Sequence, residues 1–244
     1  MAPRFLLAGL ALHLVSCGID MDGIAGAFQR PSAVVELDKT VDPGKATVLR
    51  LDTSNGRIKV RSGGEEIELH VKVSLSAGTQ EAADAAAPQV AITESVEGDR
   101  LEFNVDLPEG TKLGGASYDV TCPLGMSLDL HTTNGRVEVE GPFPSVTVDT
   151  SNGSINLTGA VPEFALDTSN GRVEVMLVGD WGGTGRIDTS NGSITVECTG
   201  KLACTVVTDT SNGKTKVSAS DGPGKLTLDT SNGSITCREV GGGP

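Results

Sequence analysis

The sequence predicts an all-β fold, specifically a parallel β-solenoid or β-helix-like repeat with about 20 residues per coil and one short helix in the N-terminal half. Three observations support this prediction. The motif Asp-Thr-Ser-Asn-Gly, or a close variant of it, occurs seven times in the chain. The residues on both sides of each copy alternate between apolar and polar, as β-strands with one buried face do. Aromatic residues make up only 3% of the chain and glycine occurs 32 times, which indicates a core of Val, Leu, Ile and Thr joined by many tight bends.

The spacing of the motif is regular over the C-terminal half of the chain. The motif asparagines are Asn55, Asn134, Asn152, Asn170, Asn191, Asn212 and Asn232, so the intervals after Asn134 are 18, 18, 21, 21 and 20 residues. One turn signal per period of this length is typical of a repeat architecture. The regular repeats span residues 118–240. The residues between the first two copies are predicted to form an insertion or a cap on the same array.

The residues around each Asn-Gly pair predict a bend between two strands. A Thr stands two residues before every motif Asn, and apolar residues recur four before it and three and five after it, with Thr208 and Thr215 as the polar exceptions. Asn and Gly both tolerate positive φ, which predicts the bend at that pair. Because the alternation shifts its phase across the pair, both arms can face one core.

Two architectures satisfy this pattern. Each Asn-Gly could form a two-residue hairpin, which would give an antiparallel meander or barrel, or it could form the corner of a solenoid coil. A hairpin has no special need for Thr in all seven copies, whereas stacked coils would pack the Thr side chains and hydrogen-bond the Asn amides in columns. The solenoid is therefore favoured and the hairpin fold remains the alternative. In the solenoid, Cys122 and Cys237 would lie about 24 Å apart, too far for a disulfide.

The N-terminal half contains alternating strands and one helical segment. Residues 66–75 alternate cleanly, Thr79 is placed to cap a helix in QEAADAAA, and Pro88 ends that helix. No Pro/Ser-rich linker divides the chain. Residues 33–240 are therefore predicted to form a single domain.

The first residues are typical of a targeting segment. Arg4 precedes a short apolar run, Phe5–Val15, which is too short to span a bilayer as a helix. The run ends in Leu-Val-Ser-Cys, which resembles the lipobox of bacterial lipoproteins and implies cleavage before Cys17 and lipid attachment to that residue. The alternative is an ordinary secretory signal. Residues 1–17 are therefore predicted to be a lipoprotein signal peptide and residues 18–32 a flexible tether. Gly18, by its similarity to Gram-negative sorting patterns, favours the outer membrane.

The charge of the chain restricts its partners. The formal net charge is −13, which argues against binding to nucleic acid, where clustered Lys and Arg are needed. It agrees with a body that is held at the membrane through a lipid anchor alone.

Copies such as LDLHTTNGRVEV, VTVDTSNGSINL and LTLDTSNGSITC, preceded by YDVTCPLGMSL, resemble the bacterial "putative adhesin" family of β-strand-repeat envelope domains, whose members are mainly domains of unknown function. The resemblance covers residues 33–240. It implies a β-solenoid-like fold and an extracytoplasmic setting, and it carries over no catalytic residue.

The candidate contact surface consists of outward-facing residues of the motif and one aromatic residue. The outward residues are Asp149, Asp167 and Asp188 with Arg136 and Arg172, and each Asp is expected to cap its turn or to pair with the basic residue two positions after Asn. A calcium site is disfavoured because each coil supplies only one carboxylate. Trp181, in the glycine-rich stretch GDWGGTGR, is the single best candidate for an exposed partner contact.

The remaining chemistry is sparse. Cys198 and Cys204 lie within one period and are candidates for a disulfide. No Ser-His-Asp, His-Cys or paired-carboxylate constellation stands apart from the repeat, so we expect no enzyme, no cofactor and no metal. The sequence predicts an adhesin-like or scaffolding envelope protein that binds an unknown protein or surface glycan. The alternatives are a carbohydrate- or ligand-binding β-helix and a structural component of an envelope-stress response.

Overall fold

The computed structural model describes residues 11–13 and 31–241 of the chain. Cys17, most of the predicted signal peptide and most of the predicted tether lie outside the described residues. The strands are, in chain order, β1 (Ala11–His13), β2 (Ser32–Val41), β3 (Val48–Thr53), β4 (Ile58–Ser62), β5 (Ile67–Ser76), β6 (Ala91–Glu97), β7 (Arg100–Asp106), β8 (Lys112–Cys122), β9 (Ser127–Thr132), β10 (Val137–Glu140), β11 (Ser145–Thr150), β12 (Ile155–Gly159), β13 (Glu163–Thr168), β14 (Val173–Leu177), β15 (Thr184–Thr189), β16 (Ile194–Cys198), β17 (Ala203–Thr210), β18 (Thr215–Val217), β19 (Ser220–Thr230) and β20 (Ile235–Glu239).

The strands form two large, mostly parallel sheets, as the predicted all-β class requires. Sheet A has the order β1-β2-β5-β8-β4-β10-β12-β14-β16-β20-β18, and sheet B has the order β17-β19-β15-β13-β11-β9-β3-β7-β6. Inward side chains from both sheets form one buried apolar cluster, which contains most of the Leu, Val and Ile columns of the motif. The core therefore lies between the sheets.

Each Asn-Gly pair joins a strand of sheet B to a strand of sheet A. We call the two strands that flank one such corner a unit, and the stack of units the array. In the described part of the chain the two strands of a unit do not pair with each other; each pairs in parallel with the equivalent strand of the next unit, as Asp149 with Asp167 and Ile155 with Val173 do. The pairs are therefore corners between sheets, and the alternative of antiparallel Asn-Gly hairpins is wrong.

Three residues of the motif bond successive corners together. The Asn amides form a ladder in the order Asn212, Asn232, Asn191, Asn170, Asn152, Asn134 and Asn55, with N···O distances of 2.9–3.0 Å. Most of the motif Thr hydroxyls donate to the Gly carbonyl of the neighbouring corner, as Thr168 does to Gly153 at 3.0 Å. The Thr150 hydroxyl has no hydrogen-bond partner among the described residues. The predicted Thr and Asn columns are therefore confirmed.

The reason for glycine at the corner differs from the prediction. None of the motif glycines has a positive φ. Instead, a Cβ added at Gly171 would lie 1.8 Å from the carbonyl oxygen of Gly153, and the same approach recurs at Gly135, Gly153, Gly192 and Gly213. Glycine is required because successive corners stack too closely for a side chain.

The segment between the first two motif copies closes one end of the array. The unit of Asn55 lies beside that of Asn134, because β3 pairs with β9 and β4 with β10. On its other side β3 pairs with β7 and β4 with β8, and antiparallel strands β6, β5, β2 and β1 extend the two sheets. The predicted helix is confirmed as α1 (Gln80–Ala86); Thr79 accepts from the Ala82 N–H at 3.1 Å, and Pro88 lies in the 3₁₀ turn Ala87–Gln89 that follows. The insertion is thus a cap, as predicted.

At the other end the last two units are not in chain order. Strands β19 and β20, with Asn232, lie between the unit of Asn191 and the unit of Asn212, which is outermost. The inward residues Leu228 and Ile235 of the inserted unit are fully buried. The equivalent residues of the outermost unit are Thr208, which is half-buried, and Thr215, which is exposed. Because burial of Leu and Ile stabilises the fold more than burial of Thr does, this order places the more polar unit at the exposed end.

Candidate functional site

The outer face of sheet B carries one continuous row of the first motif residues, which we call the Asp row. The parallel register aligns these residues on adjacent strands, so they lie about 4.8 Å apart along the sheet. The members of the row are, in spatial order, Asp52, His131, Asp149, Asp167, Asp188, Asp229 and Asp209. The three predicted contact carboxylates, Asp149, Asp167 and Asp188, are therefore neighbours.

The two ends of the Asp row differ in charge. Near β3 and β9, the Asp129 carboxylate pairs with Arg50 at 3.0 Å, with Arg100 at 3.1 Å and with His131 at 2.7 Å. Basic groups therefore surround that end. Over the five members from Asp149 to Asp209, the ion pairs of the described residues include only Arg186 with Asp188, at 2.5 Å. The C-terminal part of the row is therefore an acidic strip with little neutralisation.

The proximity of like charges changes the acidity of the strip. Partial burial, together with the carboxylates of Asp149 and Asp188, raises the pKa of Asp167 above its ordinary value. Partial burial and the neighbouring carboxylate of Asp188 raise the pKa of Asp229 in the same direction. Stacking in register places like charges side by side, which is unfavourable, and a bound cationic group would relieve this repulsion.

A shallow groove of about 250 Å³ runs along the same strip, beside the corners. It is lined by the carboxylates of the strip and by the motif Ser and Thr residues, namely Asp167, Thr168, Asp188, Thr189, Ser190, Asp209, Ser211, Asp229, Thr230 and Ser231. The groove therefore offers carboxylate acceptors and hydroxyl groups, and its lining contains no aromatic side chain. In the described ranges no group of three or more His, Cys, Asp or Glu residues is arranged to hold a metal ion.

The outer face of sheet A has a different pattern, since its acidic residues pair with basic residues on neighbouring strands. Lys59 lies 2.9 Å from Glu140, Arg61 lies 2.5 Å from Asp119, and Arg238 pairs with Glu197. This face therefore neutralises most of its own charge.

The predicted basic contact residues lie immediately before strands β10 and β14 of sheet A and not in the Asp row. Arg136 donates to the Ser154 hydroxyl at 3.1 Å and lies 3.6 Å from Glu138, while Arg172 lies 3.4 Å from Glu174. The expected pairing of the motif Asp with the basic residue two positions after Asn is wrong, because the corner places the two residues on the outer faces of different sheets.

Trp181 is not an exposed contact. Its side chain is buried, its indole N–H donates to the Val161 carbonyl at 2.7 Å, and its ring centroid lies 5.6 Å from that of Phe164. Its backbone forms an isolated parallel bridge with Leu202. Sequence reasoning missed this because a lone Trp among glycines carries no burial pattern.

The candidate disulfide is not present. Cys198 and Cys204 are both free and buried, and the Cys198 thiol donates to the Gly179 carbonyl at 3.1 Å. Cys122 and Cys237 are also free and buried, and they lie six strands apart in sheet A, or about 29 Å. Burial raises the pKa of Cys122 and Cys237 to about 12 and that of Cys204 to about 11, so these thiols are protonated and unreactive at neutral pH.

Comparison with known proteins gives structural neighbours only. No family model matches the chain, and no curated protein matches it. A "putative cell adhesion protein" from Clostridium sporogenes overlays with a TM-score of 0.44 and 11% identity, covering 84% of this chain and 99% of its own. A "putative adhesin" from Bacteroides fragilis overlays with a TM-score of 0.37 and 13% identity, covering 84% of this chain and 97% of its own. A "putative adhesin" from Parabacteroides merdae overlays with a TM-score of 0.24 and 12% identity, covering 84% of this chain and 96% of its own. These overlays are too loose to transfer the neighbours' roles to this chain.

No helix in the described part of the chain has the length and apolar character needed to cross a membrane.

Proposed function

We propose that this protein is a non-enzymatic, lipid-anchored envelope protein of the "putative adhesin" type. Its body would be a two-sheet β-solenoid with about 20 residues per coil, anchored at Cys17, most simply in the outer membrane. It would act as an adhesin or scaffold by presenting the acidic strip to a protein or to a surface glycan. The observation that carries the proposal is the acidic strip itself, Asp149 to Asp209, on one face of the molecule.

The contrast between the two faces supports a binding role for the strip. A surface that serves only to solubilise the fold can pair its charges, as the outer face of sheet A does with Lys59–Glu140 and Arg238–Glu197. The strip instead places carboxylates side by side in register, at a cost in free energy from their repulsion, and it leaves them facing a groove. A partner whose positive groups lie along a line would remove that repulsion.

The chemistry of the groove defines the kind of contact. In a shallow groove, carboxylates accept hydrogen bonds from a partner, and Ser or Thr hydroxyls both donate and accept them. Each such contact is weak, so the affinity would come from many contacts formed at once. Lys or Arg side chains along a protein segment would fit, as would the hydroxyl and amino groups of a glycan. A carbohydrate-active enzyme is less well supported, because the described groove has no aromatic lining for sugar rings.

The binding role can be tested with two matched triple variants of the full chain that carries Cys17→Ala. Asp167→Asn/Asp188→Asn/Asp229→Asn removes three charges from the strip, and Glu138→Gln/Glu174→Gln/Glu197→Gln removes three from the outer face of sheet A. Both are screened by biolayer interferometry against immobilised basic proteins and glycans. We expect only the strip variant to lose binding. Equal binding by both variants and the parent, or an equal loss in both, would overturn the proposal.

The lipid anchor needs a separate test. Cells expressing the full chain are grown with an alkyne-labelled fatty acid, and the protein is isolated and probed for the label. We expect the parent chain to be labelled and to sediment with the outer membrane, and Cys17→Ala to lose both properties. Absence of label from the parent chain would leave an ordinary secretory signal as the correct interpretation.

A further inference from the structure

The array ends, at the unit of Asn212, in a pair of open strand edges. Strand β17 is outermost in sheet B and β18 is outermost in sheet A, and no described strand pairs with the outer side of either. Asp209 is the only charged residue among the eight of β17. Val207 and Val217 are 49% and 45% exposed. A long, β-branched edge strand of this kind is a template for pairing with another chain.

The opposite end of the array differs from this edge in its hydrogen bonding and charge. The Asn ladder stops there because the Asn55 amide donates to the Gly114 carbonyl at 3.2 Å. Both sheets end in antiparallel strands, and β6, at the edge of sheet B, carries exposed Glu94 and Glu97. A copy stacked head to tail would therefore find no continuing Asn ladder at this end, and it would meet exposed carboxylates on sheet B. An edge that pairs with its own kind produces a closed two-fold dimer.

We propose that the β17–β18 edge is a self-association surface on which a second copy of this chain docks end to end, with β17 of each copy antiparallel to β18 of the other. A two-fold axis parallel to the strands passes through the corner 211–214 and produces this arrangement. Residues at equal distances from the corner then oppose each other: Thr210 faces Thr215, Asp209 faces Lys216 and Thr208 faces Val217 of the second copy.

Charge complementarity favours this arrangement over the other two-fold dimer. Asp209 and Lys216 both point outward from their sheets, since their neighbours Thr208 and Val217 occupy the inward columns, so symmetry creates two cross-strand ion pairs. In the other two-fold dimer, β18 of one copy would pair with β18 of the second copy. Lys216 is the central residue of this three-residue strand, so the Lys216 side chains of the two copies would lie side by side, which is unfavourable. The docked strands also cover Val217, whose inward position is exposed in the single copy.

The dimer would have a consequence for how the protein presents its surfaces. The two-fold axis continues sheet B of one copy into sheet A of the other, so the two acidic strips would face opposite sides of one long body. Two strips on opposite faces would let one dimer bridge two partners. The dimer itself does not depend on the proposed binding role of the strip.

The test is sedimentation velocity and light scattering on the full chain that carries Cys17→Ala, over a range of concentrations. We expect a concentration-dependent dimer. Asp209→Lys and Lys216→Asp should each weaken it about tenfold or more, because each turns two attractions into repulsions. The double exchange Asp209→Lys/Lys216→Asp should restore it, which also shows that the single variants fold. Asp149→Lys, in the middle of the same row, is the matched control and should leave the dimer intact.

The register is tested by cross-linking. Val207 and Ser218 oppose each other across the proposed interface, so Val207→Cys/Ser218→Cys should form an intermolecular disulfide under mild oxidation, whereas Val207→Cys alone should not. A monomer at every soluble concentration would overturn the proposal and would make the polar residues Thr208 and Thr215 an end cap that prevents stacking. A dimer that survives both single charge reversals would overturn it as well.

Discussion

Replacing Gly171 with alanine tests the close stacking of the corners. The added Cβ would lie 1.8 Å from the Gly153 carbonyl oxygen and 2.8 Å from the Thr168 hydroxyl. Ordinary contact between such atoms begins at 3.4 Å, so the two corners would have to separate by about 1.6 Å, since packed interiors have few voids to absorb the methyl group.

That separation would break the hydrogen bonds between the two corners. Thr168 Oγ1 donates to the Gly153 carbonyl at 3.0 Å, Asn170 Nδ2 donates to Asn152 Oδ1 at 3.0 Å, and the Asn170 N–H donates to the Ser151 carbonyl at 2.9 Å. All three would exceed hydrogen-bonding distance. At about 1 kcal/mol each, Gly171→Ala is expected to lower the free energy of unfolding by about 3 kcal/mol.

The measurement is urea unfolding followed by circular dichroism, with amide hydrogen exchange to locate the change. Gly78→Ala is the matched control, because nothing lies within 4 Å of a Cβ added there and its φ is not positive. The control should be neutral or up to about 1 kcal/mol stabilising. Equal stability of the two variants would refute the steric explanation for glycine at the corner and would return the explanation to turn propensity.

Three further predictions concern the Thr column, the Asp row and the core. Thr168→Val should cost about 1 kcal/mol in urea unfolding because it removes a hydrogen bond, whereas Thr150→Val should be neutral or stabilising because the Thr150 hydroxyl has no described partner; equal losses would contradict this. Folding raises the pKa of Asp229 above its ordinary value of 3.8, so the folded state binds the Asp229 proton more tightly than the unfolded state does. The ionised Asp229 carboxylate therefore lowers the free energy of unfolding at pH 7, and this loss disappears as the pH falls through the folded pKa to below 3.8. Asp229→Asn should therefore be more stable than the parent at pH 7, and the difference should shrink on acidification; a difference independent of pH would contradict the assignment. Trp181→Ala should lower the free energy of unfolding by about 3–5 kcal/mol, whereas Leu124→Ala, at a side chain 67% exposed, should change it by no more than about 0.5 kcal/mol; a mild effect at Trp181 would argue against its burial.

Much of the fold could be predicted because the motif is local and repeats. The Thr two residues before each Asn, and the apolar columns on both sides, identify the inward faces without any knowledge of neighbours. Because the motif recurs at intervals of 18–21 residues, equivalent residues of successive units are expected to lie side by side. This expectation is enough to predict the Asn ladder and the Asp row. The helix after Thr79 was predictable for the same reason, since its cap and its terminating Pro88 are local signals.

The candidate site was predicted only in part, because partners across sheets are not visible in the sequence. Asp149, Asp167 and Asp188 are neighbours, as the repeat predicts, but Arg136 and Arg172, which lie close to them in sequence, stand immediately before strands of the other sheet. Trp181 illustrates the same limit, since its partner Val161 lies 20 residues earlier and no periodic pattern connects them. The role of glycine was mistaken for a related reason: the carbonyl that excludes a Cβ belongs to another unit.

Side-chain type and spacing alone predict that each unit has two strands, one bend and an inward Thr, with an outward Asp in every unit except that of His131. The order of the units, in contrast, is set only when they stack in the folded protein. Every unit presents the same Thr-x-Asn-Gly corner to its neighbours, so any unit can stack on any other and continue the Asn ladder. What distinguishes the last two is the burial of their inward columns, Leu228 and Ile235 against Thr208 and Thr215, and that difference in free energy exists only once the units are stacked.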